Sequence, residues 1–120
     1  MREKMIIAVD FDGTICENEY PNIGKPIPEA IEALQKLSDR GVRIIIWTCR
    51  FKPDDLLEMQ SWLLEHEVTY NAINKQLVDF IKGRKIYADR YIDDRNYPMG
   101  NVRLMWKCIL SDIERGEFND

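Results

Sequence analysis

Met5-Ile6-Ile7-Ala8-Val9 is apolar without a break and carries charge on both sides. A strand with one wet face alternates apolar and polar residues. A strand apolar at every position is buried on both faces, as in the centre of a parallel sheet. Arg43-Ile44-Ile45-Ile46-Trp47 repeats the pattern. Between the two runs, Ile31, Leu34 and Leu37 recur at near-helical spacing over Glu29 to Arg40, with Pro28 suited to the first turn and Gly41 to a left-handed exit. Pro53-Asp54-Asp55 opens a second helix with two carboxylates at its positive end, and Leu56, Met59, Leu63 and Leu64 supply its apolar positions. Tyr70-Asn71-Ala72-Ile73 reads as a third strand. Leu77, Val78, Phe80 and Ile81 read as a short helix closed by Gly83, and Arg90-Tyr91-Ile92 as a strand ending in Asp93-Asp94. Val102, Met105, Trp106, Ile109, Leu110 and Ile113 predict a final amphipathic helix capped by Asn101. The polar stretch from Gly13 to Pro28 reads as loop. Strands alternating with helices predict an α/β fold: a three-layer α/β/α, Rossmann-like parallel sheet. At 120 residues, one domain spanning 1–120 is expected.

Several chemistries are excluded by what the chain lacks. Cys16, Cys49 and Cys108 are odd in number and never form a close pair, which disfavours a disulfide framework or a thiolate zinc site. A cysteine-dependent phosphatase loop needs Arg six positions after Cys, and those positions hold Asn22, Asp55 and Glu114. A single histidine, His66, excludes any site built on two and reads as a structural residue near a helix end. Seventeen basic against 21 acidic residues give a net charge of −4, which argues against nucleic acid as the favoured partner. The longest apolar run falls far short of the roughly 20 residues that span a bilayer, and Met1-Arg2-Glu3-Lys4 does not open a secretory signal. A soluble, cytoplasmic protein without a membrane partner is expected.

Ligands of parallel sheets bind beyond the strand carboxyl ends. Asp10-Phe11-Asp12-Gly13-Thr14 follows the first strand, Thr48 the second, and Asp93-Asp94 the late one, with Lys85 eight positions before Asp93. In parallel neighbouring strands all of these meet on one rim. An EF-hand loop is excluded, because Gly13 and Thr14 occupy the fourth and fifth positions counted from Asp10. Four acidic groups gathered together repel unless a cation sits among them, and hard carboxylates without nearby His or Cys suit Mg²⁺. A dication, a lysine, a hydroxyl and the N–H groups of a Gly turn make a phosphate site, in which an aspartate can act as nucleophile.

Asp10-Phe11-Asp12-Gly13-Thr14 after a strand resembles the first motif of the haloacid dehalogenase (HAD) superfamily. Ile44-Ile45-Ile46-Trp47-Thr48 resembles the second. Lys85 with Ala88-Asp89, and Tyr91-Ile92-Asp93-Asp94, resemble the third and fourth. The resemblance implies Asp10 as nucleophile on phosphorus and Asp12 as acid on the leaving oxygen, then base on water. The acid role requires a raised pKa, because an ordinary Asp is ionised at pH 7. It further implies Thr48, Lys85 and the N–H groups of Phe11 and Asp12 around the phosphate of a small phosphorylated substrate; Cys49 and Arg50, just beyond Thr48, are further substrate-binding candidates. Mg²⁺ is then held by Asp10, the Asp12 carbonyl, Asp93 and Asp94, the last directly or through water. Lys75 and Lys82 are rival lysines, and the spacing to Asp93 favours Lys85. The intervals from Asp12 to Thr48 (48 − 12 = 36) and from Thr48 to Lys85 (85 − 48 = 37) are filled by core elements, so no cap domain is expected. An open site suits a bulky substrate or closure by a second subunit, and Asn18 to Lys25 is the local flap candidate.

The implied activity is a Mg²⁺-dependent phosphomonoester hydrolase working through a phosphoaspartate on Asp10. The alternatives are a nucleic-acid end phosphatase, drawing on Lys82, Arg84, Lys85, Arg90 and Arg95, and a phosphoacceptor module without turnover. Arg50 and Arg95 are placed toward the substrate's non-reacting part, with Asn74 and Asn96 as polar rim groups. Cys16 and Cys49 also read as small buried apolar residues. Trp47, Trp62 and Trp106 are expected to pack between sheet and helices.

Overall fold

The computed structural model describes residues 5–78, 86–94 and 101–118. In chain order the elements are β1 (Ile6–Asp10), β2 (Cys16–Glu19), β3 (Asn22–Pro26), α1 (Pro28–Asp39), β4 (Arg43–Trp47), α2 (Pro53–Glu65), β5 (Ala72–Ile73), β6 (Arg90–Ile92) and α3 (Val102–Glu114). β1 forms the spine of a four-stranded sheet of order β5-β4-β1-β6. Its pairings with β4 and β6, and that of β4 with β5, are all parallel. Every residue from Ile6 to Val9 is buried, as an unbroken apolar run between two neighbouring strands requires.

Alternation along β1 splits the core. Ile7 and Val9, with Ile44 and Ile46, join a large cluster that takes in Leu34 and Leu37 of α1, Met59 and Leu63 of α2, and Trp106 and Ile113 of α3. Ile6 and Ala8, with Ile45, belong to a second cluster containing Ile86 and Ala88, against which Leu77 and Val78 pack. The sheet is thus covered on both faces. Trp106 is fully buried, and its Nε1 donates to the Thr14 carbonyl at 2.7 Å, tying α3 to the loop after β1. The predicted caps hold: Pro28 and Pro53 stand in the first turns of α1 and α2, Asn101 Oδ1 accepts from Leu104 N at 3.0 Å, and Gly41 has φ +85°.

Two local expectations differ from the structure, and a third lies mostly outside the described residues. Gly13 to Pro28 is not plain loop, because β2 and β3 pair as an antiparallel hairpin. Of β2 only Cys16 is buried, so the period-2 signal that marks a half-buried strand is missing from the sequence. The hairpin is close enough that a Cβ on Gly24 would stand 2.1 Å from the Glu17 carbonyl oxygen. The third strand is shorter than read, only Ala72–Ile73. Asparagine side chains flank it: Asn71 Oδ1 accepts from Ile44 N and Asn74 Oδ1 from Thr48 N, each at 2.7 Å. The helix expected over residues 77–83 falls mostly on 79–85, outside the described residues, and Leu77 and Val78 are not helical. No helix among the described residues is long and apolar enough to cross a membrane.

Candidate active site

Strand register assembles the rim. Asp10 is level with Trp47, and Val9 with Ile92, so Asp93 emerges beside Asp10. Thr48 follows Trp47 on the other flank. Asp10, Asp12 and Asp93 line a cleft of about 520 Å³ together with Trp47, Cys49, and Asn18 and Tyr20 of the hairpin. That volume lies within the range of about 300–1,000 Å³ typical of small-molecule sites. Residues 18–25, the flap candidate, therefore fall within or beside the hairpin that forms one wall.

Asp10 is pressed toward neutrality. Burial pushes its carboxyl up to about 7; the Phe11 N–H opposes this, while the negative charge of Asp94, a hydrogen bond with Asp94, and the charge of Asp93 add to it. Asp94 Oδ1 is buried without a hydrogen-bond partner. A clustered carboxylate set and an orphaned buried oxygen are what a hard cation relieves. Gly13 permits the arrangement. At φ +84°, a Cβ there would lie 2.3 Å from Asp94 Oδ2. Gly13→Ala should therefore displace Asp94 and strain the turn by about 1–2 kcal/mol. We expect Mg²⁺ affinity, measured by isothermal titration, to weaken at least about tenfold, the effect reported for disturbed metal surroundings.

The Asp12 carboxylate accepts a fork from Arg50: Nε to Oδ2 at 2.9 Å and Nη2 to Oδ1 at 2.7 Å. Among the described residues no three carboxylate, thiol or imidazole side chains form a metal cluster. With its carboxylate held by Arg50, Asp12 has its main-chain carbonyl left to offer a cation, the group that the resemblance implies.

Arg50 is also placed differently from a substrate-facing arginine. It is 1% exposed, and its remaining donors reach the carbonyls of Pro21 and Asn22 at the hairpin turn, each at 3.1 Å. Its guanidinium lies over the Phe11 and Tyr20 rings, 5.7 and 5.0 Å from their centroids. One buried cation therefore joins Asp12, the hairpin and the segment after β4. The sequence places Arg50 two residues beyond Thr48 but contains no signal for this partner set, which spans 38 positions.

Thr48 is buried and held by Asn74, whose Oδ1 accepts from the Thr48 N–H at 2.7 Å and whose Nδ2 donates to the Thr48 carbonyl at 2.8 Å. Thr48 Oγ1 accepts from Arg50 N at 3.1 Å, leaving the hydroxyl proton for an anion. Asn74 is therefore a positioning group behind the rim, in a left-handed conformation with φ 50°. The Phe11 side chain is buried edge-on to Trp62, with centroids 5.3 Å apart, so only its backbone serves the site. Cys16 is buried as expected, and burial pushes its thiol up to about 11. Cys49 is exposed at the cleft instead of buried. Trp106 is buried and Trp62 packs partly buried against the core, but Trp47, the last residue of β4, is 43% exposed and lines the cleft. His66 sits at the carboxyl end of α2, its ring tilted 46° against that of Trp62 with centroids 4.3 Å apart. Lys85, Lys82, Arg84, Arg95 and Asn96 lie outside the described residues.

A family model described as haloacid dehalogenase-like hydrolase matches residues 7–98. The chain belongs to this family. A solved structure, that of a conserved protein from Bacteroides thetaiotaomicron, is similar to 94% of this haloacid dehalogenase-like chain and is covered over 92% of its own length. The two share 37% identity with a TM-score of 0.80. No curated protein matches the chain. The membership agrees with the architecture, a Rossmann-like fold without a cap: between β1 and β4 stand only the hairpin and α1.

Proposed function

We propose that this haloacid dehalogenase-like hydrolase is a phosphomonoester hydrolase that works through a phosphoaspartate on Asp10, on a small phosphorylated substrate. The observation that carries the reading is Asp10 at the end of the central strand, crowded by Asp94 and Asp93 beside a buried Asp94 oxygen that lacks a partner. Asp10, the Asp12 carbonyl, Asp93 and Asp94 would hold Mg²⁺, which neutralises this cluster and the phosphoryl charge.

An Asp10 oxygen attacks phosphorus as the ester P–O bond breaks, and the leaving oxygen takes a proton from Asp12. Asp12, now a carboxylate, removes a proton from water. The oxygen of that water attacks phosphorus, and the Asp10–phosphorus bond breaks to release phosphate and regenerate Asp10. The Thr48 hydroxyl, the Phe11 and Asp12 N–H groups and Lys85 bind the phosphoryl oxygens. The bidentate contact with Arg50 fits Asp12 for the base step, whereas the acid step requires one carboxylate oxygen to leave the guanidinium. Phosphate release from p-nitrophenyl phosphate tests the reading. Turnover is expected with Mg²⁺, with loss on EDTA and recovery on adding Mg²⁺ back, and EDTA-resistant turnover would overturn the metal assignment.

A further inference from the structure

The cleft beside Asp10 is far larger than a phosphoryl group needs, and two of its walls are aromatic. Trp47 is 43% exposed although the three residues before it in the strand, Ile44 to Ile46, are buried, and Tyr20, at the hairpin turn, is 58% exposed. Both line the cavity that holds Asp10, Asp12 and Asp93. A large aromatic ring left in water at the end of a core strand does nothing for the fold, since its apolar area stays hydrated. Tyr20 is not loose: the Arg50 guanidinium lies over its ring at 5.0 Å, and the same cation holds the hairpin carbonyls of Pro21 and Asn22.

The Arg50 side chain is fully buried and consumed by Asp12, so beyond the carboxylates the cleft wall is made by Trp47, Tyr20, Cys49 and Asn18. Asn18 supplies a neutral polar contact at the hairpin wall.

We infer that Trp47 and Tyr20 form a leaving-group subsite for a flat aromatic ring, so that the substrate class is the phosphomonoester of an alcohol bearing such a ring. This deepens the hydrolase reading and rests on it. Ring stacking of this kind adds to area burial and discriminates a flat ring from a puckered one of equal carbon count.

The test compares benzyl phosphate with cyclohexylmethyl phosphate, which share the phosphate and the methylene and differ in the ring. With Mg²⁺, wild-type kcat/KM is expected to favour benzyl phosphate by about fivefold or more, in line with aromatic pair energies. The preference should fall toward unity in Trp47→Leu and in Tyr20→Leu. Turnover of both esters by the wild type at equal kcat/KM would overturn the subsite and leave the hydrolase reading standing. Should the wild type turn over neither ester, binding decides. Quenching of Trp47 fluorescence by adenosine 5′-monophosphate but not by ribose 5-phosphate, with Trp47→Leu as the blank, would support the subsite while the hydrolase reading fell. Equal quenching by the two, or none, would overturn the subsite as well. A dimer at assay concentration in which Trp47 is shielded from iodide would also overturn it, assigning the exposed ring to a second copy.

Discussion

Asp10→Asn is expected to remove turnover of any phosphomonoester the wild type hydrolyses, by about a thousandfold or more, because the amide oxygen is a poor nucleophile and the covalent route closes. The same substitution should act on stability in the opposite sense when no metal is bound. The Asp10 carboxyl is raised from 3.8 to about 7, chiefly by burial. Below about pH 4 it is protonated in both folded and unfolded chains and contributes nothing to the difference. Between about pH 4 and 7 the unfolded chain ionises while the folded one resists, so wild-type stability falls across that window and levels off above it. Asp10→Asn lacks the titration. In EDTA it should therefore melt above the wild type at pH 8 by a few degrees, with the gap closing toward pH 4. Mg²⁺ should raise the wild-type melting point more than that of the variant. An Asp10→Asn protein that turned over p-nitrophenyl phosphate at the wild-type rate would rule out the phosphoaspartate.

Arg50→Ala should be the most damaging substitution outside the nucleophile. It removes a fully buried side chain and strands three acceptors: the Asp12 carboxylate and the Pro21 and Asn22 carbonyls. Breaking a buried pair costs about 3–5 kcal/mol, and because Asp12 keeps 17% exposure the lower end, about 3 kcal/mol, is expected. That is a large share of the roughly 5–15 kcal/mol that holds a domain together. Arg50→Lys retains the charge but cannot form the fork to Asp12 while reaching both carbonyls. It should recover part of the denaturation midpoint yet leave kcat depressed, by about tenfold or more for misplacement of an acid–base group. The kinetic loss should grow with leaving-group basicity, larger for an alkyl phosphate than for p-nitrophenyl phosphate, because only the poor leaving group depends on Asp12. A uniform loss across leaving groups would assign Arg50 to stability alone.

Asp10, Asp12 and Thr48 stand at the rim legibly because each follows a run whose β-branched, apolar character declares a buried strand, whereas Asp93 and Asp94 follow the short, largely exposed β6 and reach the rim through its parallel pairing with β1. The capping residues Pro28, Pro53 and Asn101 were legible for a similar reason: each acts on backbone within a turn of itself. The hairpin was not legible. β2 and β3 are largely polar, and their pairing is held by the close approach at Gly24 and by the Arg50 contacts to the turn.

The local pattern of buried strands and capped helices therefore determined the architecture and the acidic rim, since periodicity and capping report on neighbours close along the chain. Which way the acidic side chains turn was decided by partners brought in from afar. Arg50 holds the Asp12 carboxylate, Gly13 lets Asp94 approach, Asn74 pins the Thr48 peptide, and Trp47 stands exposed in the cleft. Hydrogen bonds and desolvation act over a few ångströms in space whatever the separation in sequence, so such choices exist only once the chain has folded.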